Sequence, residues 1–150
     1  MLRNIVSFDT DEDGEWQVRL DCGHRRHLRH DPPRETRPDL ADPASREAAI
    51  GQKIECGRCR QRTIPEGATV YKSTPTFDQD TVPKGLLFEH SLKKGVWGQL
   101  VVLRGSVVFC EGDSRQTLKE GDSWTVLPEV VHHLSLTGEV ALRVDFLKTE

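Results

Sequence analysis

The chain has 150 residues, 35% of them hydrophobic, and a net charge of −3, enough for one domain plus a small appendage. A slight acidic excess excludes a general polycation, and no apolar run approaches the roughly 20 residues that span a bilayer. The opening stretch MLRNIVSFDTDEDGEW lacks the apolar core of a signal peptide, so a cytoplasmic location is expected.

Ile5–Phe8 and Trp16–Leu20 alternate apolar and polar residues around Asp13-Gly14, the pattern of a β-hairpin with an acidic turn longer than two residues. The second strand runs directly into Cys22-Gly23-His24. The following stretch, RRHLRHDPPRETRPDLADP, has no helical period and carries four prolines, so it reads as extended chain and then irregular loop. Asp42-Pro43 opens a short helix over Ala44–Ile50 that Gly51 stops. Lys53–Glu55 then leads into Cys56-Gly57-Arg58-Cys59. Pro65 and Gly67 mark a linker, dividing the chain into a small domain over 1–62, a linker over 63–69 and a second domain over 70–150.

From Val70 the composition changes. YKSTPTFDQDTVPKG reads as extended chain, followed by a strand over Leu86–His90 and a turn at Lys93–Gly95. Gln99–Leu103, Ser106–Cys110 and Trp124–Leu127 are apolar runs separated by Gly105 and by the tight turn Glu120-Gly121-Asp122. Leu134–Leu136 and Val140–Phe146, broken by Thr137-Gly138, supply the last strands. About eight closely spaced strands suit an all-β, double-stranded β-helix, a jelly-roll barrel, preceded by the hairpin domain.

Four cysteines occur, at 22, 56, 59 and 110. In a reducing compartment a C-x-x-C pair points to metal before disulfide. Zinc favours four thiolate or imidazole ligands delivered as two close pairs. Cys22-x-His24 and Cys56-x-x-Cys59 are such pairs, each with a glycine after its first cysteine. Four protein ligands leave no open position, so the zinc is structural. His27 and His30 compete with His24 for the fourth place, and a free thiol pair beside a coincidental CGH is the plainer alternative. A segment of about 60 residues with few aromatics has little core to fold on without such a staple. Five arginines and two histidines lie between Arg25 and Arg37. They read as a solvated basic face rather than a nucleic-acid grip, because no aromatic residues interleave with them to stack bases.

The run CGHRRHLRHDPP with the later CGRC resembles a small bacterial family of unknown function over residues 1–62. That family offers no activity to carry over. From Tyr71 to Lys148 the chain resembles the cupin-like tellurite-resistance-associated domain, through YKSTPTF, the histidine in FEH, GVWGQLVVLRG, the P-E-x-x-H stretch and VDFL. The resemblance implies a cupin barrel in which Gly121-Asp122, Pro128 and His132 form the second cupin motif. It also implies a homodimer formed by strand exchange. The usual H-x-H and glutamate of the first cupin motif are absent, with Gly98 or Gln99 standing where the glutamate would fall.

Imidazoles at His90 and His132 with the carboxylate of Asp145 make a divalent-metal set suited to zinc, iron, nickel or manganese. The alternative is a hydrogen-bonded histidine pair lining a small-molecule pocket. Trp97, Gln99 and Trp124 are further pocket candidates, the two tryptophans equally fitting barrel core. Cys110 reads as apolar filler with no activating cation. The expectation is a metal- or small-molecule-binding cupin-like protein with a small-molecule or oxyanion ligand, acting in tellurite, oxyanion or nitrosative stress. A non-catalytic sensor or adaptor working through the basic segment is the alternative. No cofactor motif fixes a reaction.

Overall fold

The computed structural model describes residues 1–27 and 42–149. The proline-rich loop and His30 fall outside them. Two units emerge, Met1–Glu66 and Gly67–Glu150.

In the first unit, β1 (Leu2–Thr10) and β2 (Trp16–Leu20) form the hairpin, extended by β3 (Arg25–His27) and β4 (Lys53–Glu55) in the order β3-β2-β1-β4. The hairpin turn is five residues long. Asp11 organises it, its Oδ1 accepting the Asp13 and Glu15 amides at 2.9 Å each, the side-chain mimicry of a turn that Asp provides. Helix α1 (Pro43–Ala49) starts with Asp42 capping the Ala44 amide at 3.2 Å. It buries no residue, and Arg46 instead lies 3.8 Å over the Trp16 ring. Helix α2 (Gly57–Arg60) is a single turn beginning just after Cys56. Prolines aside, the unit's buried apolar side chains among the described residues are Ile5, Val18 and Leu20, joined by Cys22, Cys56 and Cys59.

The second unit is all-β in the jelly-roll manner expected. Its strands are β5 (Thr69–Ser73), β6 (Phe77–Asp78), β7 (Trp97–Glu111), β8 (Ser114–Lys119), β9 (Ser123–Val126) and β10 (His133–Lys148), with helix α3 (Lys84–Leu87). β7 and β10 pair antiparallel along nearly their whole length. The outer edge of β7 takes β9 along its first half and β8 along its second. The outer edge of β10 takes β5 and β6. Two long strands shared by short ones on both sides curl the sheet around a core of Leu100, Val102, Val107, Phe109, Leu118, Val126, Leu134, Val140 and Leu142.

Several sequence expectations need correction. Gln99–Leu103 and Ser106–Cys110 are one strand, β7, and Leu134–Leu136 and Val140–Phe146 are likewise one strand, β10. Gly105 is where β7 bends. Its φ is +70° and a Cβ there would sit 1.9 Å from the Glu139 carbonyl oxygen, while the β10 register shifts opposite it between Leu136 and Val140. Leu86–His90 is not a strand. It is the end of α3 followed by extended chain, Phe88 is 69% exposed, and His90 makes an isolated bridge to His132. β8 went unread because five of its six residues are exposed, which leaves no apolar alternation to see.

Candidate functional site

The first site grows from two local turns. After β2 the chain reverses at Gly23 (φ 95°), held by the Leu20 amide on the His24 carbonyl and the Gly23 amide on the Leu20 carbonyl, each at 2.9 Å. This brings Cys22 and His24 to one side. The second pair sits on α2, with Cys56 just before its first residue and Cys59 one turn along. Gly57 is ordinary helix there, so the glycine after the first cysteine is a turning device only at Gly23.

His24 Nδ1 lies 3.3 Å from Cys22 Sγ, 3.3 Å from Cys56 Sγ and 3.6 Å from Cys59 Sγ, and the Cys22 and Cys56 sulfurs are 3.9 Å apart. A zinc ion with ~2.3 Å bonds to sulfur and ~2.05 Å to nitrogen sets tetrahedral edges of about 3.8 Å between sulfurs and about 3.6 Å between sulfur and nitrogen. The cluster therefore has the dimensions of a metal tetrahedron, and a 3.9 Å sulfur separation is far from a disulfide. His24 Nε2 donates to the Thr63 carbonyl at 2.7 Å, which leaves Nδ1 as the ligating nitrogen. A carbonyl partner of this kind fixes the tautomer of metal-bound histidines.

Electrostatics point the same way. Contacts with the Cys56 and Cys59 side chains, together with burial, push the Cys22 thiol far above its ordinary range, while contacts with Cys22 and Cys59 pull Cys56 far below its own. Burial, the largest influence on His24, favours its neutral form, but bonds to Cys56 and Cys59 outweigh it and raise the group to about 9. Three thiols and an imidazole this close cannot all give up their protons without a cation among them.

His27, a competitor for the fourth place, is engaged elsewhere: its Nε2 lies 2.6 Å from Asp11 Oδ2. Among the basic residues, Arg25 pairs with Asp9 at 3.2 Å, Arg26 donates to the Glu55 carbonyl at 2.5 Å, and Arg60 bonds the Glu55 carboxylate.

In the second unit, His90 and His132 come together although 42 positions apart. Each amide donates to the other's carbonyl, at 3.0 and 2.8 Å, and the rings meet edge to face with centroids 4.3 Å apart. Phe109 stacks on His132 at 5.2 Å. Each Nδ1 faces a backbone carbonyl, His90 that of Phe88 at 2.8 Å and His132 that of Val130 at 3.0 Å. The two rings line a cavity of about 170 Å³, whose other walls include Leu86, Leu100, Val126 and Phe146.

Asp145 is not part of this cavity. Val144 and Phe146 line it, so the alternation of a strand turns Asp145 to the opposite face, where Arg143 Nε meets its carboxylate at 3.3 Å. The same parity removes Gln99, which is paired with Asp145 across the strands while Leu100 points inward. Trp97 shares that outer face and is fully buried. Trp124 packs against the core beside Phe109, at 6.2 Å between centroids, without lining the cavity. At the first-motif position Gly98 offers no side chain, since a Cβ there would already press Leu92 and Val126 at 3.1 Å, and Gln99 faces away. Two imidazoles alone do not make the expected three-ligand metal set.

Cys110 is buried, with Arg115 on β8 and His133 on β10 as its cross-strand register partners. With Glu89, Glu111 and His133 it lines an open cleft of about 470 Å³. The pairing with Arg115 is not legible in the sequence, because β8 shows no apolar alternation.

Residues 6–63 match the family described as a protein of unknown function (DUF3565), and residues 72–144 match the TehB-like domain. None of the curated proteins matches the chain in sequence. Among solved structures, a protein from E. coli (strain K12) is 23% identical, with a TM-score of 0.56 over 59% of this chain and 88% of its own. TehB from Haemophilus influenzae is 25% identical, with a TM-score of 0.52 over 56% of this chain and only 32% of its own. Among the described residues no helix is long and apolar enough to cross a membrane. The chain is thus similar, in order, to a family of unknown function across its first unit and to the TehB-like domain across its second.

Proposed function

We propose that this chain is a cytoplasmic, cupin-like small-molecule-binding protein whose N-terminal unit is held together by one structural zinc. Cys22, His24, Cys56 and Cys59 hold the ion. With four protein ligands it supplies folding energy and no reactive position. The ligand sits in the barrel cavity at His90 and His132. The observation that carries this reading is the pairing of two imidazoles, drawn from separate segments, at the wall of a largely apolar cavity.

Metal content by mass spectrometry on untagged protein tests it. One zinc per chain, absent from the double variant Cys56→Ala/Cys59→Ala, is the expected result. A second metal, lost when His90 and His132 become alanine, would overturn the account of the barrel. The stress-response role, sensing tellurite or another oxyanion, draws support from the TehB-like match, but among the described residues no Lys or Arg lines the cavity to hold an anion. An adaptor role through the basic segment is the second reading. It is weakened by the intramolecular partners of Arg25, Arg26 and Arg60. For assembly we favour a homodimer, supported by the exposure of β5 along its whole length at the sheet edge. Sedimentation at the 17.0 kDa monomer mass across micromolar concentrations would overturn that.

A further inference from the structure

The barrel cavity carries information about its occupant, resting on the reading that it is the ligand site. A backbone carbonyl only accepts hydrogen bonds, so the 2.8 Å contact from His90 to the Phe88 oxygen puts the ring proton on Nδ1. In its neutral form the ring then presents Nε2 as an acceptor. His132 is held in the same tautomer by the Val130 oxygen. Thr74, the other polar residue at the wall, has its hydroxyl committed. It donates to the Pro75 carbonyl and accepts from the Val144 amide, each at 2.9 Å. Among the described residues, every remaining lining residue is hydrocarbon, and none is Lys, Arg, Asp or Glu.

The geometry points to a neutral molecule about the size of one aromatic ring, bearing a hydroxyl or N–H that donates to His90 Nε2, as the cavity's ligand. Size supports this: an apolar cavity of roughly 150 Å³ accommodates benzene, and this one is about 170 Å³. Polarity supports it as well. A neutral donor finds an acceptor and hydrocarbon walls, whereas an anion finds no Lys or Arg among the described lining residues to offset its desolvation. A divalent cation meets two imidazoles and, among the described residues, no third charged or imidazole ligand, because Gly98 has no side chain and Asp145 and Gln99 face away.

Fluorine NMR on the full-length, zinc-loaded protein near neutral pH tests the assignment with three probes, 4-fluorophenol, fluorobenzene and 4-fluorobenzoate. The phenol should bind about tenfold more tightly than fluorobenzene, the value of one buried hydrogen bond, and the carboxylate should not bind measurably. In His90→Phe the phenol should lose that preference while fluorobenzene still binds, which also shows that the variant is folded. Val144→Phe, which fills the cavity, should abolish binding of both. The ligand class is overturned if 4-fluorobenzoate, tellurite or Co2+ binds more tightly than the phenol and loses that binding in His90→Phe. The reading of the cavity as the ligand site would then survive. That reading itself fails if no probe binds, or if binding persists unchanged in Val144→Phe.

Discussion

The two units use histidine in opposite ways. In the first, His24 ties its Nε2 to Thr63 and turns Nδ1 into a knot of sulfurs, and the knot is a large part of the core. In the second, His90 and His132 tie Nδ1 to backbone carbonyls and stand at the edge of a nine-residue apolar core that does not need them. Which nitrogen is tethered decides what the other can do. The contrast also separates stability from binding. Removing the site should dismantle the first unit, whereas in the second it should empty the cavity and leave the barrel standing.

The largest expected effect follows directly. Stripping zinc, or making Cys56→Ser with Cys59→Ser, removes an interaction that in small zinc-folded peptides is worth on the order of 10 kcal/mol. Against it the first unit has Ile5, Val18 and Leu20. Amide NMR should show residues 1–27 collapsing to disordered shifts while β7 and β10 keep theirs. Loss of the barrel signals in step would break the comparison.

Gly105→Ala attacks the other side. The added methyl would meet the Glu139 carbonyl at 1.9 Å in a backbone with φ +70°, so both strain and clash apply. A cost of about 3 kcal/mol is expected. Calorimetry should show the barrel transition moving down by several degrees while zinc content stays at one per chain. An unchanged barrel transition would mean that the bend of β7 does not depend on glycine.

These two positions also show what was readable beforehand. The cluster of Cys22, His24, Cys56 and Cys59 is legible because each pair is a short-range motif whose spacing alone nearly sets the geometry. The barrel was legible as a class through its apolar runs. Gly105 reads in sequence as a break, because a glycine that bends a strand and one that ends it look alike until the partner register is known. A carboxylate inside Val144–Leu147 needs a partner, and the sequence offers either a metal or Arg143; in the structure it is Arg143, two residues away on the same strand face. The meeting of His90 with His132 depends on a bridge between segments with no local signal.

A smaller change sharpens how little the first unit relies on ordinary packing. Helix α1 buries nothing and lies against the sheet through Arg46 over Trp16. Arg46→Ala should therefore cost only about 0.5–1 kcal/mol and leave zinc affinity intact, measured by competition with a chromophoric chelator. A large loss of zinc affinity would mean that α1 supports the metal site, and the site could then no longer be treated as self-contained.

Acid should separate the units with the gentlest perturbation. As pH falls, protons should compete with the proposed zinc for Cys22, His24, Cys56 and Cys59, so the first unit should lose the ion and its fold. The barrel's most evident acid-sensitive group is Asp78, which accepts from the Asp80 and Thr81 amides at 2.8 and 2.9 Å and from the Thr81 hydroxyl at 3.0 Å. These bonds, the Asp80 amide foremost, hold it below its ordinary value of 3.8. A carboxyl lowered in the folded state contributes stability that is fully present above its unfolded value and lost as pH drops through its folded one. The barrel should therefore outlast the first unit in an acid titration, and its own decline should begin only below about pH 4. In Asp78→Asn that last part of the decline should flatten, with the turn slightly weakened at neutral pH. If barrel amides and zinc release follow one titration curve in both proteins, the two units do not unfold as separately as their cores imply.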